Sequence, residues 1–242
     1  MSMDVSIVIP AFNEAAKIGS DVQAAADVIL EQGLKGEIIV VDDGSRDLTA
    51  EVARKVKIPG KVNRQVIRFD RNSGKGFALK NGISKSSGEI VWFVDSGLCT
   101  PFSHGLQAIQ WIRSGTCDMA IASRLHAQTR IMRNRPLKRR ILSRFFHLAA
   151  VLTTGLPYRI KDSQCGYKLY KGDIARELYE ECQSPGYLFE LEIILRALKK
   201  GYKIKEFPIQ WTCDLDTRLR PLKESLAILG ELFLIRRAIK NE

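Results

Sequence analysis

The segment Val40-Val41-Asp42-Asp43-Gly44-Ser45 closes an apolar run, residues 38–41, with two acids and a turn. A similar pattern lies upstream, where the apolar run of residues 5–9 is followed by Pro10-Ala11-Phe12-Asn13-Glu14. Apolar runs of strand length that end in acids and turn-forming residues predict β-strands. The sequence between the two runs has the pattern of a helix. Residues 5–45 therefore predict a strand–helix–strand unit with parallel strands.

The acids follow the carboxyl ends of the two predicted strands, and ligands of open parallel sheets bind at these ends. Carboxylates such as those of Asp42 and Asp43 suit ribose hydroxyls and the N–H groups of a base, whereas they repel phosphate. The strand ends therefore indicate a site for the nucleoside part of a nucleotide. The alternative from these residues alone is a turn followed by a helix N-cap.

A third strand end supports the nucleotide site. Residues 89–94 form an apolar run that leads into Asp95-Ser96-Gly97, and the segment 71–76, Arg-Asn-Ser-Gly-Lys-Gly, precedes it. With these motifs the chain resembles the family 2 glycosyltransferases, which have the GT-A fold. Within that family it is most similar to the polyprenyl-phosphate sugar synthases, such as the dolichyl-phosphate mannose and glucose synthases. The motifs that carry the resemblance cover nearly the whole chain in the expected order: 10–14, 42–45, 72–76, 88–89, Asp95, 123–124, 162–169, 189–192 and 201–204.

The resemblance implies a single GT-A domain over residues 1–242, of the α/β, Rossmann-like class. A mainly parallel central sheet is expected with helices on its flanks and amphipathic interfacial helices in the second half. Residues 1–124 are then the nucleotide-sugar-binding half, and residues 125–242 the acceptor-binding, membrane-facing half. The length of 242 residues and the hydrophobic content of 45% suit one globular domain. Five cysteines without paired spacing argue against a zinc site or a disulfide framework.

The resemblance places the donor, a UDP- or GDP-sugar, on the first half of the chain. The residues expected to bind it are Pro10, Ala11, Asn13, Glu14, Asp42, Asp43, Lys75, Asp95 and Ser96. Lys75 lies in a Gly-Lys-Gly segment that lacks the full spacing of a phosphate-binding P-loop. Its expected contact with a donor phosphate therefore rests on the resemblance.

Asp95 matches the first acid of the Asp-X-Asp motif with which the family usually holds a divalent metal. Gly97 stands in place of the second acid, and Cys99 stands where some relatives supply an amide ligand. Since Mg²⁺ and Mn²⁺ prefer several oxygen ligands, Asp95 as the single protein ligand makes such a cofactor doubtful. Three alternatives stay open: Asp95 holds the metal together with substrate phosphates and water, basic residues neutralise the diphosphate instead, or the chain binds a nucleotide without catalysis. Gly97→Asp is expected to tighten manganese binding, provided that the backbone there does not need a positive φ.

Arg124 matches an arginine that faces the donor phosphates in relatives. The acceptor phosphate is expected to contact Arg139, Arg140, Ser143 and Arg218, since arginine forks bind phosphate oxygens two at a time. A lipid phosphate is already ionised at neutral pH and attacks without a general base. A sugar hydroxyl would require a base, for which Asp162 is the candidate, followed by Glu190 and Glu192. The alternative role of these two glutamates is to complement the dipole of a helix N-terminus.

The net charge is +11, and a block of basic residues without any acid extends from Arg124 to Arg144. Such a block suits a polyanion, and nucleic acid is not expected because no binding module or interleaved stacking aromatics accompany it. The predicted helix 137–153 carries Phe145 and Phe146 behind a basic start, which is typical of an interfacial helix on an anionic membrane or of a buried amphipathic helix. No apolar run reaches the ~20 residues of a membrane span. The chain is therefore expected to be peripheral on the cytoplasmic face of a membrane.

These features predict an inverting glycosyltransferase that moves a sugar from a UDP- or GDP-sugar to a polyprenyl phosphate at the membrane surface. Inversion is implied by the resemblance and by a single displacement. One alternative is transfer to a sugar hydroxyl of a glycan or glycolipid. The other is a non-catalytic nucleotide-sugar-binding protein.

Overall fold

The computed structural model describes residues 3–133, 137–184, 186, 188–213 and 221–241, and describes residues 138–140, 221–229 and 241 by their backbone alone. The strands are β1 (Met3–Ala11), β2 (Gly36–Asp42), β3 (Asn63–Arg68), β4 (Gly88–Val94), β5 (Met119–Ala122), β6 (Arg130–Arg133), β7 (Tyr167–Lys171), β8 (Ile204–Phe207) and β9 (Gln210–Thr212). The helices are α1 (Ile18–Glu31), α2 (Thr49–Lys55), α3 (Lys75–Ser84), α4 (Leu106–Arg113), α5 (Leu137–Thr154), α6 (Gly172–Glu181), α7 (Phe189–Lys199) and α8 (Pro221–Asn241).

One sheet contains seven strands in the order β3-β2-β1-β4-β7-β5-β8. Its neighbours are parallel except at β7, which runs antiparallel to both β4 and β5. The central strands β1, β2 and β4 are apolar and buried over most of their length, as is typical of parallel strands with helices on both sides. The sheet confirms the predicted α/β class with a mainly parallel centre.

The two faces of this sheet carry separate apolar cores. One core packs α1, α2 and α4 against side chains such as Ile7 and Ile38. The other packs α3, α6, α7 and the inner sides of α5 and α8 against side chains such as Val8 and Ile39. Successive residues of a strand point to opposite faces, so both cores draw on the same strands.

The predicted division of the domain at residue 124 does not divide the sheet. β7 and β8 follow this point in the chain, yet β7 lies between β4 and β5 and β8 pairs with β5. The assignment of the two halves to donor and acceptor stays a prediction.

A second, two-stranded sheet was not predicted. β6 and β9 pair in parallel, with Arg130 opposite Gln210 and Ile131 opposite Trp211. The sequence Arg-Ile-Met-Arg of β6 does not alternate polar with apolar residues over a strand's usual length, and its partner lies far along the chain. Part of the basic block is therefore a strand that precedes α5.

Helix α7 contains a buried ion pair. Oε1 of Glu192 accepts a hydrogen bond from Arg196 Nε at 2.8 Å, and both side chains are almost fully buried. Glu192 also accepts from the backbone N–H groups of Gln183 and Ser184, at 3.0 and 2.8 Å. Burial raises the pKa of Glu192, but these hydrogen bonds outweigh it and hold the pKa below its ordinary value. Glu192 thus ties the segment after α6 to α7, which is a structural role.

Replacing Glu192 by Ala is expected to lower the free energy of unfolding by about 3–5 kcal/mol, because it removes the carboxylate that accepts from buried Arg196 and from the N–H groups of Gln183 and Ser184. Urea denaturation followed by circular dichroism measures the loss. Glu180→Ala, at an exposed position of α6, is the control and is expected to change stability by less than about 0.5 kcal/mol. A loss for Glu192→Ala no larger than that of the control would contradict the structural role.

Candidate active site

Hydrogen bonds join the carboxyl ends of β1 and β2. The backbone N–H of Asp43 donates to the Ala11 carbonyl at 2.8 Å, and the N–H of Asn13 donates to Ser45 Oγ at 2.8 Å. Asn13 has a φ of +52°, a conformation that asparagine tolerates better than most residues. The two segments predicted to hold the nucleoside therefore lie together at one edge of the sheet.

Asp42 is fully buried at the end of β2. Its Oδ1 accepts from the Ser45 N–H at 2.9 Å, and its Oδ2 has no hydrogen-bond partner among the residues described. The guanidinium of Arg68 lies 3.7 Å from Oδ2. Buried carboxylate oxygens are normally hydrogen-bonded, so this oxygen retains acceptor capacity at the predicted nucleoside edge.

Asp43 binds the loop that precedes α3. Its Oδ1 accepts from the Ser73 N–H at 2.8 Å, and its Oδ2 accepts from the Gly74 N–H and from Asn72 Nδ2, both at 2.9 Å. Burial raises the pKa of Asp43 above its ordinary value, and the backbone hydrogen bonds partly offset this. Since both oxygens are engaged, Asp43 positions the loop that leads to Lys75. Its direct contact with the nucleoside stays a prediction.

Lys75, at the start of α3, connects the end of β4 with α7. Its ammonium lies 2.7 Å from Asp95 Oδ1 and 3.2 Å from Glu190 Oε1. The other oxygen of Glu190 accepts from Lys168 on β7, whose Nζ also donates to the Cys165 carbonyl at 2.6 Å. Lys168, Glu190, Lys75 and Asp95 thus form a row of alternating charges, the charged row. It is buried at Lys168 and Glu190 and open to solvent at Lys75 and Asp95.

Within the charged row, the charged forms of Glu190 and Lys75 are favoured by their neighbours. Burial disfavours the charged form of Glu190, but Lys168 and Lys75 outweigh it and hold the pKa of Glu190 below its ordinary value. Against the effect of burial, Asp95 and Glu190 hold the pKa of Lys75 well above its ordinary value. The rings of Phe93 and Phe189 lie 5.0 and 5.6 Å from Lys75 Nζ. Lys75 is therefore a fixed positive charge in surroundings that screen charge less than bulk water does.

Asp21, on α1, holds the loop that follows Asp95. Its carboxylate accepts from Ser96 Oγ at 2.6 Å and from the Gly97 N–H at 3.0 Å. Burial raises the pKa of Asp21 above its ordinary value, against the effect of these hydrogen bonds. Gly97 has a φ of +105° and Leu98 a φ of +47°. The backbone at position 97 thus needs a positive φ, so the condition for building a metal site by Gly97→Asp is not met.

The residues around Asp95 do not fit a divalent metal held by the protein. Asp95 supplies one carboxylate, of which Oδ1 contacts the Lys75 ammonium, and Gly97 supplies none. Oδ2 of Asp95 lies so close to Gly166 that a Cβ atom at position 166 would clash with it. In the part of the chain that the structure describes, no group of three or more His, Cys, Asp or Glu side chains is arranged to hold a metal ion. The donor set is that of a carboxylate paired with lysine, whereas Mg²⁺ and Mn²⁺ need several oxygen ligands.

Arg124 and Asp162 form a bidentate ion pair. Nε and Nη2 of Arg124 each donate to one oxygen of Asp162 at 2.6 Å, and the Arg124 backbone N–H donates to Oδ2 at 2.9 Å. The Trp211 ring lies 5.7 Å from the guanidinium carbon. Both oxygens of the Asp162 carboxylate are therefore occupied by N–H donors of Arg124. The catalytic roles of both residues stay predictions, and the structure shows that each positions the other.

Of the residues predicted to bind the acceptor phosphate, Ser143 is half-buried on α5. Arg139 and Arg140 belong to the same helix, but their side chains are not among those described. Arg218 lies outside the described residues. Their contact with an acceptor phosphate stays a prediction.

The sequence analysis missed Asp21 and Lys168. Asp21 lies in an amphipathic helix, where an acid is expected on the solvent side. Asp21 is buried because α1 packs against the loop of Ser96 and Gly97, and this packing could not be predicted from the sequence. Lys168 stands between Tyr167 and Leu169 in β7, and a lysine flanked by apolar residues in a short strand was the available signal for a buried charge.

The mainly parallel sheet, with acids at its strand ends, agrees with the GT-A fold that the sequence resemblance implies. The family model described as "Glycosyl transferase family 2" matches residues 6–178. The chain belongs to this family and is a glycosyltransferase, which confirms the resemblance seen in the sequence.

Curated relatives match almost the entire chain. The "Dolichyl-phosphate beta-glucosyltransferase" of Saccharomyces cerevisiae is 31% identical over 250 residues, which cover 97% of this chain and 74% of the relative. The relative of the same name from Homo sapiens is 29% identical, with coverages of 96% and 74%. "Glycosyltransferase AglD" of Haloferax volcanii is 28% identical over 95% of this chain, which spans 36% of that relative's length.

Solved structures share the fold. Glucosyl-3-phosphoglycerate synthase from Mycobacterium tuberculosis, in complex with Mn²⁺, UDP and glucosyl-3-phosphoglycerate, has a TM-score of 0.66 at 19% identity, covering 98% of this chain and 80% of that one. Mannosyl-3-phosphoglycerate synthase from Rubrobacter xylanophilus has a TM-score of 0.67 at 17% identity, with coverages of 99% and 75%. At these identities the likeness shows the fold alone.

Gly97→Asp is expected to destabilise the fold without creating a manganese site. A side chain at a φ of +105° costs about 1–3 kcal/mol, and a carboxylate near Asp21 adds repulsion. Thermal unfolding measures the loss of stability, and calorimetric titration with Mn²⁺ measures whether a manganese site is created. Gly97→Asn is the control of equal size and no charge, and it is expected to lose less stability. Tighter manganese binding by Gly97→Asp at unchanged stability would show this view of the loop to be wrong.

Proposed function

We propose that this glycosyltransferase transfers glucose, with inversion, from a UDP- or GDP-linked donor to a polyprenyl phosphate at a membrane surface. The observation that carries the proposal is the match over 97% of the chain to a dolichyl-phosphate beta-glucosyltransferase. Transfer to a sugar hydroxyl has less support, because Asp162 and Glu190, which would act as bases, are each paired with a cation.

Helix α5 supports the membrane part of the proposal. One of its faces is an exposed apolar stripe whose members lie three or four positions apart: Leu137, Ile141, Phe145, Leu148 and Leu152. The opposite side packs into the core through Phe146 and Ala150. Exposed Arg133 and Arg144 accompany the stripe, and this combination suits an anionic membrane interface. Among the described helices, none has the length and hydropathy of a membrane span.

The stripe is connected to the ion pair of Arg124 and Asp162. From Arg124 the chain passes through β6 and α5 and returns at Asp162, 38 positions later. The guanidinium holds the two ends of this excursion together through contacts of 2.6 Å. The segment that carries the stripe therefore begins and ends at this ion pair. Arg124 follows β5 by two residues, so the ion pair fixes both ends of the segment beside the end of β5.

A phosphate acceptor needs no general base. An ionised oxygen of the polyprenyl phosphate donates a lone pair to the anomeric carbon of the sugar. The bond from that carbon to the β-phosphate oxygen breaks, and its electron pair stays on the nucleoside diphosphate. The protein then has three tasks: to hold the donor at the ends of β1, β2 and β4, to orient the acceptor, and to stabilise the leaving diphosphate.

A transfer assay tests the proposed function. The purified chain is incubated with UDP-glucose, GDP-glucose, UDP-N-acetylglucosamine and GDP-mannose, each with a polyprenyl phosphate or with the matching polyprenol. We expect a glucosylated lipid from one glucose donor with the phosphate and none with the polyprenol. A donor that binds raises the free energy of unfolding by about 2.7 kcal/mol at 100 times its Kd, which thermal shift detects. Binding without turnover would favour the non-catalytic alternative, and product with the polyprenol alone would contradict the phosphate acceptor.

Leu152→Glu is expected to weaken co-sedimentation with vesicles that contain phosphatidylserine. Leu152 is 73% exposed on the stripe, and Leu48, before α2, is 65% exposed. Leu48→Glu therefore makes the same chemical change at similar exposure and is the control. Wild-type binding is expected to fall as salt rises, because salt screens the attraction of basic residues to the lipid. Equal loss in both variants, or equal binding to neutral and anionic vesicles, would count against a membrane role for the stripe.

A further inference from the structure

The charge of the leaving diphosphate requires a positive partner in the active site. Most of the stabilisation in such reactions comes from charges that are already in place before the bond breaks. The residues around Asp95 do not fit a metal held by the protein. A cation of the protein itself is the alternative that the charged row offers.

Lys75 is the member of the charged row that combines a fixed position with access from solvent. Its ammonium contacts the motif acid Asp95 at 2.7 Å, at the oxygen that would otherwise be available to a metal. Lys75 has a side-chain exposure of 23%, against 4% for Glu190 and 0% for Lys168. An ammonium has three N–H donors, and the described contacts of Lys75 use two of them. One donor therefore remains for a ligand that enters from the open side.

The position of Lys75 is set from several sides. Asp43 holds the preceding loop by accepting from the N–H groups of Ser73 and Gly74. Gly74, with a φ of +101°, makes the sharp turn into α3. Glu190 pulls the ammonium towards α7, and the ring of Phe93 lies 5.0 Å from it. A lysine held in this way loses little conformational freedom when a ligand binds.

We propose that Lys75 is the catalytic cation of this enzyme and stabilises the leaving diphosphate in the role that a divalent metal has elsewhere in the fold. The inference rests on the proposed function and assigns the residue that stabilises the leaving diphosphate in the absence of a metal. As the anomeric carbon forms its bond to the acceptor oxygen, the bond to the β-phosphate oxygen breaks and the electron pair moves onto that oxygen. Lys75 donates a hydrogen bond to the diphosphate through the N–H that its contacts with Asp95 and Glu190 leave available, and no proton is transferred.

Turnover with and without a chelator tests the inference. Wild-type protein is assayed in EDTA and in added Mn²⁺, and its rate is expected to agree within about twofold, since no metal supplies the positive charge. Lys75→Met, similar in size but uncharged, is expected to lose about 100-fold or more in kcat. Lys75→Arg keeps a cation and is expected to retain more activity. Lys85→Met removes the same charge from the exposed end of α3 and is expected to behave as wild type.

Binding measurements separate contact with the diphosphate from a change in folding. In calorimetry, Lys75→Met is expected to bind the nucleoside diphosphate about tenfold more weakly than wild type does, the loss of one hydrogen bond to a charged group. Its affinity for the nucleoside is expected to be unchanged, because the nucleoside edge does not include Lys75. Thermal melting of all four proteins checks that the fold is kept.

The outcomes are distinct. Loss of wild-type turnover in EDTA that Mn²⁺ restores would overturn the role of Lys75 and leave the proposed function standing. This arm uses the wild-type protein, so it stays decisive if Lys75→Met does not fold. Equal affinity of wild type and Lys75→Met for the diphosphate would also overturn the role. Absence of turnover with every donor, with and without metal, would overturn the proposed function and the inference together.

Discussion

The burial of Glu190 between two lysines is the interaction on which the edge at the strand ends depends. A carboxylate at this depth without a cationic partner would cost several kcal/mol and would become protonated. With Lys168 on one side and Lys75 on the other, it stays charged and links β7, α7 and α3. Asp95 at the end of β4 completes the series. The four elements thus meet at the edge through a row of charges that alternate in sign.

Other buried acids act mainly as anchors for loops. Asp43 accepts backbone N–H groups from the loop before α3, and Asp21 accepts the N–H of Gly97. Glu192 does the same for the segment after α6. Loops lack the regular hydrogen bonds of helices and strands, so their buried N–H groups need such acceptors. A site whose loops are held before the ligand arrives needs little rearrangement on binding, which favours electrostatic catalysis.

The centre of the fold could be predicted from the sequence because β1, β2 and β4 are apolar runs that end in acids, a pattern visible within a few residues. Parallel strands end at one edge, so the proximity of Asp42 to the other strand-end acids followed from their positions in the chain. The pairing of β6 with β9 could not be predicted, because both strands are short and distant in sequence. The same holds for Asp21 and Lys168, whose burial depends on the elements that cover them. The residue types at the strand ends could thus be predicted from the sequence, whereas the packing between segments that are distant in the chain could not.

Gly97 limits which residues the loop after Asp95 can accept. Its φ of +105° suits glycine, and its N–H group is held by Asp21. A second motif acid at position 97 would be strained at this φ, and the hydrogen bonds from Ser96 and Gly97 to Asp21 hold the loop in its present conformation. A stable second acid would therefore need a further change in the loop besides the substitution itself.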